Sequence, residues 1–438
     1  MPRGSIRWVF AGRFFGRRLA IFLALALAYY FSNFFRSANA VIAGDLIREL
    51  SLTAAQLGLM SSLFYVVFAL VQLPLGGALD RWGPRWVTSG LMLLAVAGSL
   101  VFSRGRSFGA LALGRALIGA GMAGVLMGTY TTFSRWFSPA RFATASSLVV
   151  AVGALGAITT GTPLAWFDQA FGWRTVFLWG AAGVLASALF VMVVVRTRPD
   201  DARSSGSPRP PQGASAPRMG GYRDIFRDRR FRRIATLNFM TVGTFLSVQG
   251  LWSGPFLFDA LRLSQVAAGT LITLAALGGL CGYLTCGWLA DRFGAHRVAV
   301  FGVSVFVAAQ LGLVVTGLTR RQGLAYPSYL AFGFGGAYNI VLMAHIRRVF
   351  PEELMGRAVS AVNLFGIGGA ALLQWLIGVL IGLFGRDAGG HYPPEAYVLA
   401  FTLTGLGGLV ALVWYARLRE PPGRADDGVL EPAVGPDT

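Results

Sequence analysis

The reading of this chain turns on GGALDRWGPRW, residues 76–86. Asp80, Arg81 and Arg85 fall within six positions, yet long apolar runs stand on both sides of them. A near copy, CGWLADRFGAHR, stands at residues 286–297. Short charged gaps between long apolar runs are the pattern of a chain that threads a membrane repeatedly.

Composition agrees. The chain has 438 residues, of which 55% are hydrophobic and 13% charged. A soluble domain carries about 25% charged residues, so this chain needs lipid as solvent. Uncharged or nearly uncharged runs occupy 19–44, 54–79, 86–103, 109–133, 144–166, 175–195, 234–258, 265–290, 298–318, 326–346, 359–385 and 397–416. Each has the length of a spanning helix, and only helices satisfy their own backbone at that length in lipid. The expected fold is an all-α polytopic membrane protein of twelve helices.

Every basic residue is arginine, and the net charge is +19. On alternate sides of the spans, 28 of the 38 arginines fall on the side that holds the N-terminus. The positive-inside rule therefore expects both termini in the cytoplasm, here of a bacterial inner membrane. The positive charge is a topology signal and gives no reason to expect a nucleic-acid partner. The basic N-terminal residues precede an apolar run too long for a signal peptide, so the first span is expected to stay in place.

The expected organisation is a cytoplasmic segment (1–18), a six-helix bundle (19–195), a linker (196–233), a second six-helix bundle (234–418) and a disordered tail (419–438). The linker is rich in Pro, Gly and Ser. Its end, GYRDIFRDRRFRR, places Tyr222, Ile225 and Phe226 on one helical face, which suits a short amphipathic helix on the inner leaflet. The bundles read as repeats. Asp80 and Asp291 share flanking Gly76/Gly287, Arg81/Arg292 and Gly83/Gly294, and RFATA at Arg141 is echoed by RAVSA at Arg357.

The string Gly-x-x-x-Asp-Arg-x-Gly-x-Arg between the second and third spans resembles the signature loop of the major facilitator superfamily. Gly172-Trp173-Arg174 before the sixth span, the repeat and the long central loop resemble it too. The resemblance covers residues 17–418 and implies two pseudo-symmetric bundles round a central cavity. It also implies that the loop is a latch between conformations, built here from Gly76, Asp80, Arg81, Gly83, Arg85 and Arg141, with Gly287, Asp291, Arg292, Gly294 and Arg357 as the second copy. Gly76 is expected to allow close helix approach, Gly83 a tight turn, and Asp80 to face a helix N-terminus and pair with Arg141.

Two charges lie inside spans, Arg36 and Arg115, and none of the acids is placed deep in one. An ionisable group in the membrane is costly and marks function. Both arginines sit roughly 6–9 Å to the outer side of the midplane, counting about 1.5 Å per residue. Tyr29, Asn33 and Arg36 share one face of the first helix. The field favours an anion, and guanidinium binds a carboxylate or phosphate with two parallel hydrogen bonds. FSNFFR also resembles the first-span motif of the superfamily's organic-anion branch, without that branch's acid before the Arg or its fourth-span carboxylate. Arg115 lies in RALIGAG, which resembles a fourth-span motif shared across the superfamily, so a structural role competes with substrate contact.

Tyr65, Gln249, Trp252, Asn339 and Asn363 are further candidates for cavity contact, alongside Gln72, Tyr338 and Gln374. His345 is a candidate proton carrier near an interface. The fifth span carries small residues at four-residue spacing but lacks the Gly-Pro pair of drug antiporters. There is no phosphate loop, metal-ligand spacing or catalytic set, so no cofactor, no metal and no enzyme are expected. Function is expected to be secondary transport of a small organic anion by alternating access, with a coupling proton or ion, by a monomer in the lipid bilayer. A drug or metabolite exporter and a transporter-like sensor are the rival readings.

Overall fold

The computed structural model describes residues 15–195 and 220–418. The described residues are nearly all helical, and eleven of the helices or joined helix pairs are long and apolar enough to cross a membrane. Twelve crossings result because one of these, α3 (Ala54–Arg104, 51 residues), crosses twice. Its turn is Gly83, at φ 80 and ψ 158, inside the opening string. Pro84 starts the returning helix, where its missing N–H costs nothing. Gly294 makes the equivalent turn at φ 87 and ψ 143, so the sequence repeat is a backbone repeat. This region of φ and ψ is essentially reserved for glycine.

The first span is α1 (Phe15–Ser37) followed by α2 (Asn39–Leu50), with a break at Ala38 where an unbroken run was expected. The fourth span is α4 (Phe108–Met122) with α5 (Val125–Trp136); the fifth is α6 (Pro139–Thr159), followed by a short outer helix α7 (Thr162–Phe171); the sixth is α8 (Trp173–Val194). After α9 (Gly220–Arg227), the seventh span is α10 (Arg229–Ser247), a π-turn (Val248–Trp252) and α11 (Ser253–Asp259). Then come α12 (Gln265–Phe293), α13 (Ala295–Thr319), α14 (Gln322–Ala337) with α15 (Asn339–Val349), α16 (Glu352–Gly382) and α17 (Pro394–Ala416). The first, fourth, seventh and tenth spans are all broken. Irregular backbone at membrane depth is tolerated where protein or a cavity satisfies it.

Small residues set the packing. A Cβ on Gly119 would lie 2.2 Å from the Phe64 carbonyl oxygen, and one on Gly333 would lie 1.8 Å from that of Ala275. The fifth-span glycines behave as their spacing suggests: a Cβ on Gly156 would lie 2.2 Å from the Tyr30 carbonyl oxygen. Gly76 and Gly287 do not; nothing lies within 4 Å of either position. Close approach is therefore made elsewhere than at the start of the opening string.

Helix α9 forms where the short amphipathic helix was expected, and its apolar face meets protein. Ile225 is fully buried against a core that includes Phe231, Ile346 and Tyr415, and the Phe226 ring meets Phe231 and Phe365. The helix docks on the second bundle, so the end of the 196–233 segment is structured. Residues 1–14, 196–219 and 419–438 lie outside the described residues.

Candidate functional site

A cavity of about 110 Å³ lies between the two halves. The first span contributes Tyr29, Asn33, Arg36 and Ser37; the fifth Val150, Ala154 and Ala157; the seventh Phe245, Leu246 and Gln249; the eighth Ala276, Gly279, Leu280 and Tyr283. Gly153 brings the fifth span against this wall: a Cβ there would lie 2.4 Å from the Tyr29 ring and 2.7 Å from Asn33 Nδ2. Asn33 Nδ2 donates to the Tyr29 carbonyl at 3.0 Å, which fixes the amide on the cavity side of α1.

Arg36 sits in the last turn of α1, where a cation suits the helix C-terminus. Its guanidinium is 5.6 Å from the Phe68 ring centroid. Its Nε is buried without a hydrogen-bond partner among the described residues, and no carboxylate lines the cavity. Arg115 is placed differently. It is 1% exposed, donates from Nη1 to the Phe35 carbonyl at 2.8 Å and stacks 4.8 Å from the Phe64 ring centroid. It does not line the cavity. The bond to Phe35, next to Arg36, sets both arginines at one height, and the Tyr65 hydroxyl lies in electrostatic reach of both. Among the described residues Arg115 thus has a backbone partner that Arg36 lacks, although the Nε of each is unpartnered. Arg115→Ala orphans the buried Phe35 carbonyl, at a cost of about 1–3 kcal/mol. The expected outcome is a lower melting temperature, read by thermal unfolding, with a smaller change in anion affinity than at Arg36.

The other candidates divide. Gln249 lines the cavity, and Asn339 bonds to the cavity residue Tyr283. Trp252 is buried behind the wall, its Nε1 donating to the Gln374 carbonyl at 2.9 Å. Asn363 is exposed and reaches Gln72 in the other half at 3.5 Å. Tyr338 pairs with Thr285 at 3.2 Å. His345 is fully buried and bonded to Tyr415 at 2.6 Å, inside the second bundle and not at an interface with solvent. Tyr283 was not singled out in the sequence; its only signal is a hydroxyl within the apolar eighth span.

In the latch region Arg81 and Arg85 lie over Trp82 and Trp86 at 5.5 and 5.0 Å, and Arg292 lies 5.6 Å from both Trp288 and Phe293. Asp80 and Asp291 are exposed, and Arg141 and Arg357 are half-buried. Asp80 forms no ion pair or hydrogen bond among the described residues, so the expected pairing with Arg141 is not made here. An exposed pair is worth only about 0–1 kcal/mol, so a small change of conformation makes or breaks it.

At the opposite, arginine-poor end the halves are tied together. Thr162 N donates to Thr273 Oγ1 at 3.0 Å, Ala54 N to Tyr392 Oη at 3.1 Å, and Arg386 to the Leu52 carbonyl. Gln265 Nε2 of α12 donates to Asp168 and, at 3.2 Å, to Asp45. The Gly172-Trp173-Arg174 motif braces the same end: Trp173 Nε1 and Arg174 Nη1 donate to Glu49 at 2.9 and 2.8 Å. Asp168, 5% exposed, was missed in the sequence because it stands just past an apolar run and looks like an ordinary loop acid. It lies on α7, beyond the spanning helix. Burial, then the hydrogen bond and charge of Asp45, push its carboxyl up to about 7.

A family model described as Major Facilitator Superfamily matches residues 21–370. The chain is 27% identical over 433 residues to a gallate transporter of Pseudomonas putida, spanning 90% of this chain and 92% of that one. It is 22% identical over 415 residues to a probable galactarate/D-glucarate transporter of Bacillus subtilis (strain 168), spanning 89% of each. A solved bacterial homologue of the human lysosomal transporter Spinster, inward-facing and unoccupied, matches with a TM-score of 0.72 at 18% identity, over 91% of this chain and 96% of that one. The structural likeness carries the fold, and the family match carries membership. By that match the chain belongs to the Major Facilitator Superfamily, as a multi-pass membrane transporter of small solutes and not an enzyme.

Proposed function

We propose that this transporter moves a small organic anion through the central cavity by alternating access, with Arg36 as the group that holds the carboxylate or phosphate. One observation carries the reading: Arg36 faces a cavity between the halves, and among the described residues its buried Nε has no partner and no acid lines that cavity. Arg36 is half-buried with its Nε sealed from water, and a bound anion would give it the charge-assisted partner that the cavity wall lacks. Tyr29, Asn33 and Gln249 add polar contacts on the same walls, joined by Tyr283. Arg115 and Tyr65 position Arg36 from behind. Trp252, Asn339 and Asn363 act one layer out, through packing, through Tyr283 and through Gln72 respectively.

The names of the gallate and galactarate/D-glucarate transporters are consistent with a carboxylate cargo. The volume of about 110 Å³ is far below the roughly 300–1,000 Å³ of drug-sized sites, and the cavity has no acid for a cationic drug. Both observations weigh against multidrug export. The arginine-rich end is assigned to the cytoplasm, with both termini there, in the cytoplasmic membrane; the protein works as a monomer. Counterflow of radiolabelled gallate or D-glucarate in reconstituted vesicles tests the reading. Exchange supports transport of an organic anion, whereas binding without exchange favours a sensor.

The latch copies are assigned to the same cycle. Asp80 is free to pair in another conformation, which it would help to hold. Asp80→Asn is expected to slow transport several-fold while leaving expression near wild type. Vesicle flux and cysteine-accessibility labelling at the arginine-rich end check this; unchanged flux and labelling leave Asp80 with topology alone.

A further inference from the structure

The acids at the arginine-poor end are arranged as a device rather than as a solvated rim. Asp168 of α7 lies in hydrogen-bonding reach of Asp45 of α2, and both accept from Gln265 of α12, which belongs to the other half. Two carboxylates side by side repel, so the arrangement is held best with a proton on one of them. Three elements pack against α7 here, besides its own span α6. From α2 the charged neighbours are Asp45, Arg48, which pairs with Asp45, and Glu49. From α8 there is Arg174, already engaged by Glu49 at 2.8 Å. From α12 the facing group is the neutral Gln265, and α6 brings no charge to this end. Among the described residues no arginine bonds Asp168; Arg48, paired with Asp45, reaches it only through space and offsets the burial in part. A cavity of about 520 Å³, lined by Asp45, Arg48, Glu49, Asp168 and Gln265 among others, gives water access to the pair.

We propose that Asp168 and Asp45 form a proton-binding gate: they take up one shared proton when the arginine-poor ends of the halves close on Gln265 and release it when those ends part. Both acids belong to the first half, and Gln265 of the second half covers them while these ends are closed. Burial is the largest cause of the raised proton affinity of Asp168 and outweighs the opposing hydrogen bond donated by Gln265, so parting the halves, which returns the 5% exposed Asp168 to water, lowers that affinity. By linkage, protons must then favour the closed gate. The sign follows from the raised proton affinity of the closed form. Closure is stabilised at acid pH and loses that stabilisation as pH rises through about 7. The gate thus senses pH on the arginine-poor side, whatever solute the cavity takes.

The inference uses the alternating-access reading only in supposing that the halves move, and its test needs no solute. Spin labels on Arg106→Cys and Arg321→Cys, one in each half at this end, report the opening in full-length protein in lipid, with Cys281 and Cys286 replaced by alanine. Distance distributions are taken at pH 5.5 and pH 8.5. In the background protein the closed-to-open ratio is expected to fall at least tenfold at the higher pH. Asp168→Asn, a neutral mimic of the protonated acid, is expected to stay closed at both. Asp45→Asn removes the repelling neighbour, so the midpoint is expected to move to lower pH; this variant also serves if Asp168→Asn fails to fold. A background protein indifferent to pH overturns the proposal. So does Asp168→Asn that keeps the wild-type response or stays open at both pH values, or Asp45→Asn with an unmoved midpoint.

Discussion

Arg36→Ala is expected to abolish anion transport while leaving a folded protein. Among the described residues the guanidinium is the one cation lining the cavity, and its buried Nε holds no partner that would be orphaned by its loss. Losing a charge-assisted contact in a partly wet cavity costs about 1.5–3 kcal/mol, or roughly 10- to 150-fold in affinity. Arg36→Lys keeps the charge but loses the planar fork, so it is expected to weaken binding strongly as well. Thermal unfolding separates this from a packing role. A structural Arg36 would give an unstable alanine variant whose folded fraction binds normally. Arg115, 1% exposed and bonded to the Phe35 carbonyl, is the internal control for such a role.

The second large effect is expected at Gly254. A Cβ there would sit 1.6 Å from the Ala40 carbonyl oxygen. Gly254 belongs to the second half and Ala40 to the first, and a backbone oxygen within α2 has nowhere to go. Gly254→Ala therefore cannot be accommodated while the arginine-poor end is closed. Each bundle alone is undisturbed, so folding should survive. Transport is expected to fall by one to two orders of magnitude, with the Arg106/Arg321 label distance lengthened. Gly333→Ala is the contrast. Its clash, 1.8 Å from the Ala275 carbonyl oxygen, lies within the second half. Overpacking of that kind costs about 1–3 kcal/mol or more, so it should lower stability and expression. Wild-type transport by Gly254→Ala would mean that this close approach is not part of the cycle.

What the sequence disclosed follows from the reach of its signals. Charge spacing and apolar run length are one-dimensional, so the crossings, the Gly83 and Gly294 turns and the two-bundle fold were legible. The equal height of Arg36 and Arg115 was legible too, because helix rise converts residue number to depth. Which of the two faced the cavity was not, since that depends on helix rotation and on a carbonyl of another span. The same limit hid Tyr283 and moved Trp252 behind the wall. Gly76 was read as a close-approach glycine because helix contacts elsewhere use glycine that way, and here it faces open space. Asp168 escaped because burial of an acid beyond a span end depends on Gln265, 97 positions away. The linker's last turn looked amphipathic whether it met lipid or protein; only the burial of Ile225 decides for protein.

Whether Arg36 selects an anion is decided by a matched pair of ligands. The affinities of purified protein for gallate and for its uncharged amide are measured by calorimetry, on wild type and on Arg36→Ala. Wild type is expected to prefer the acid by 10-fold or more, and the alanine variant to bind the two alike. A wild type that does not discriminate, or a preference that survives in well-folded Arg36→Ala, would mean that Arg36 is not the anion anchor.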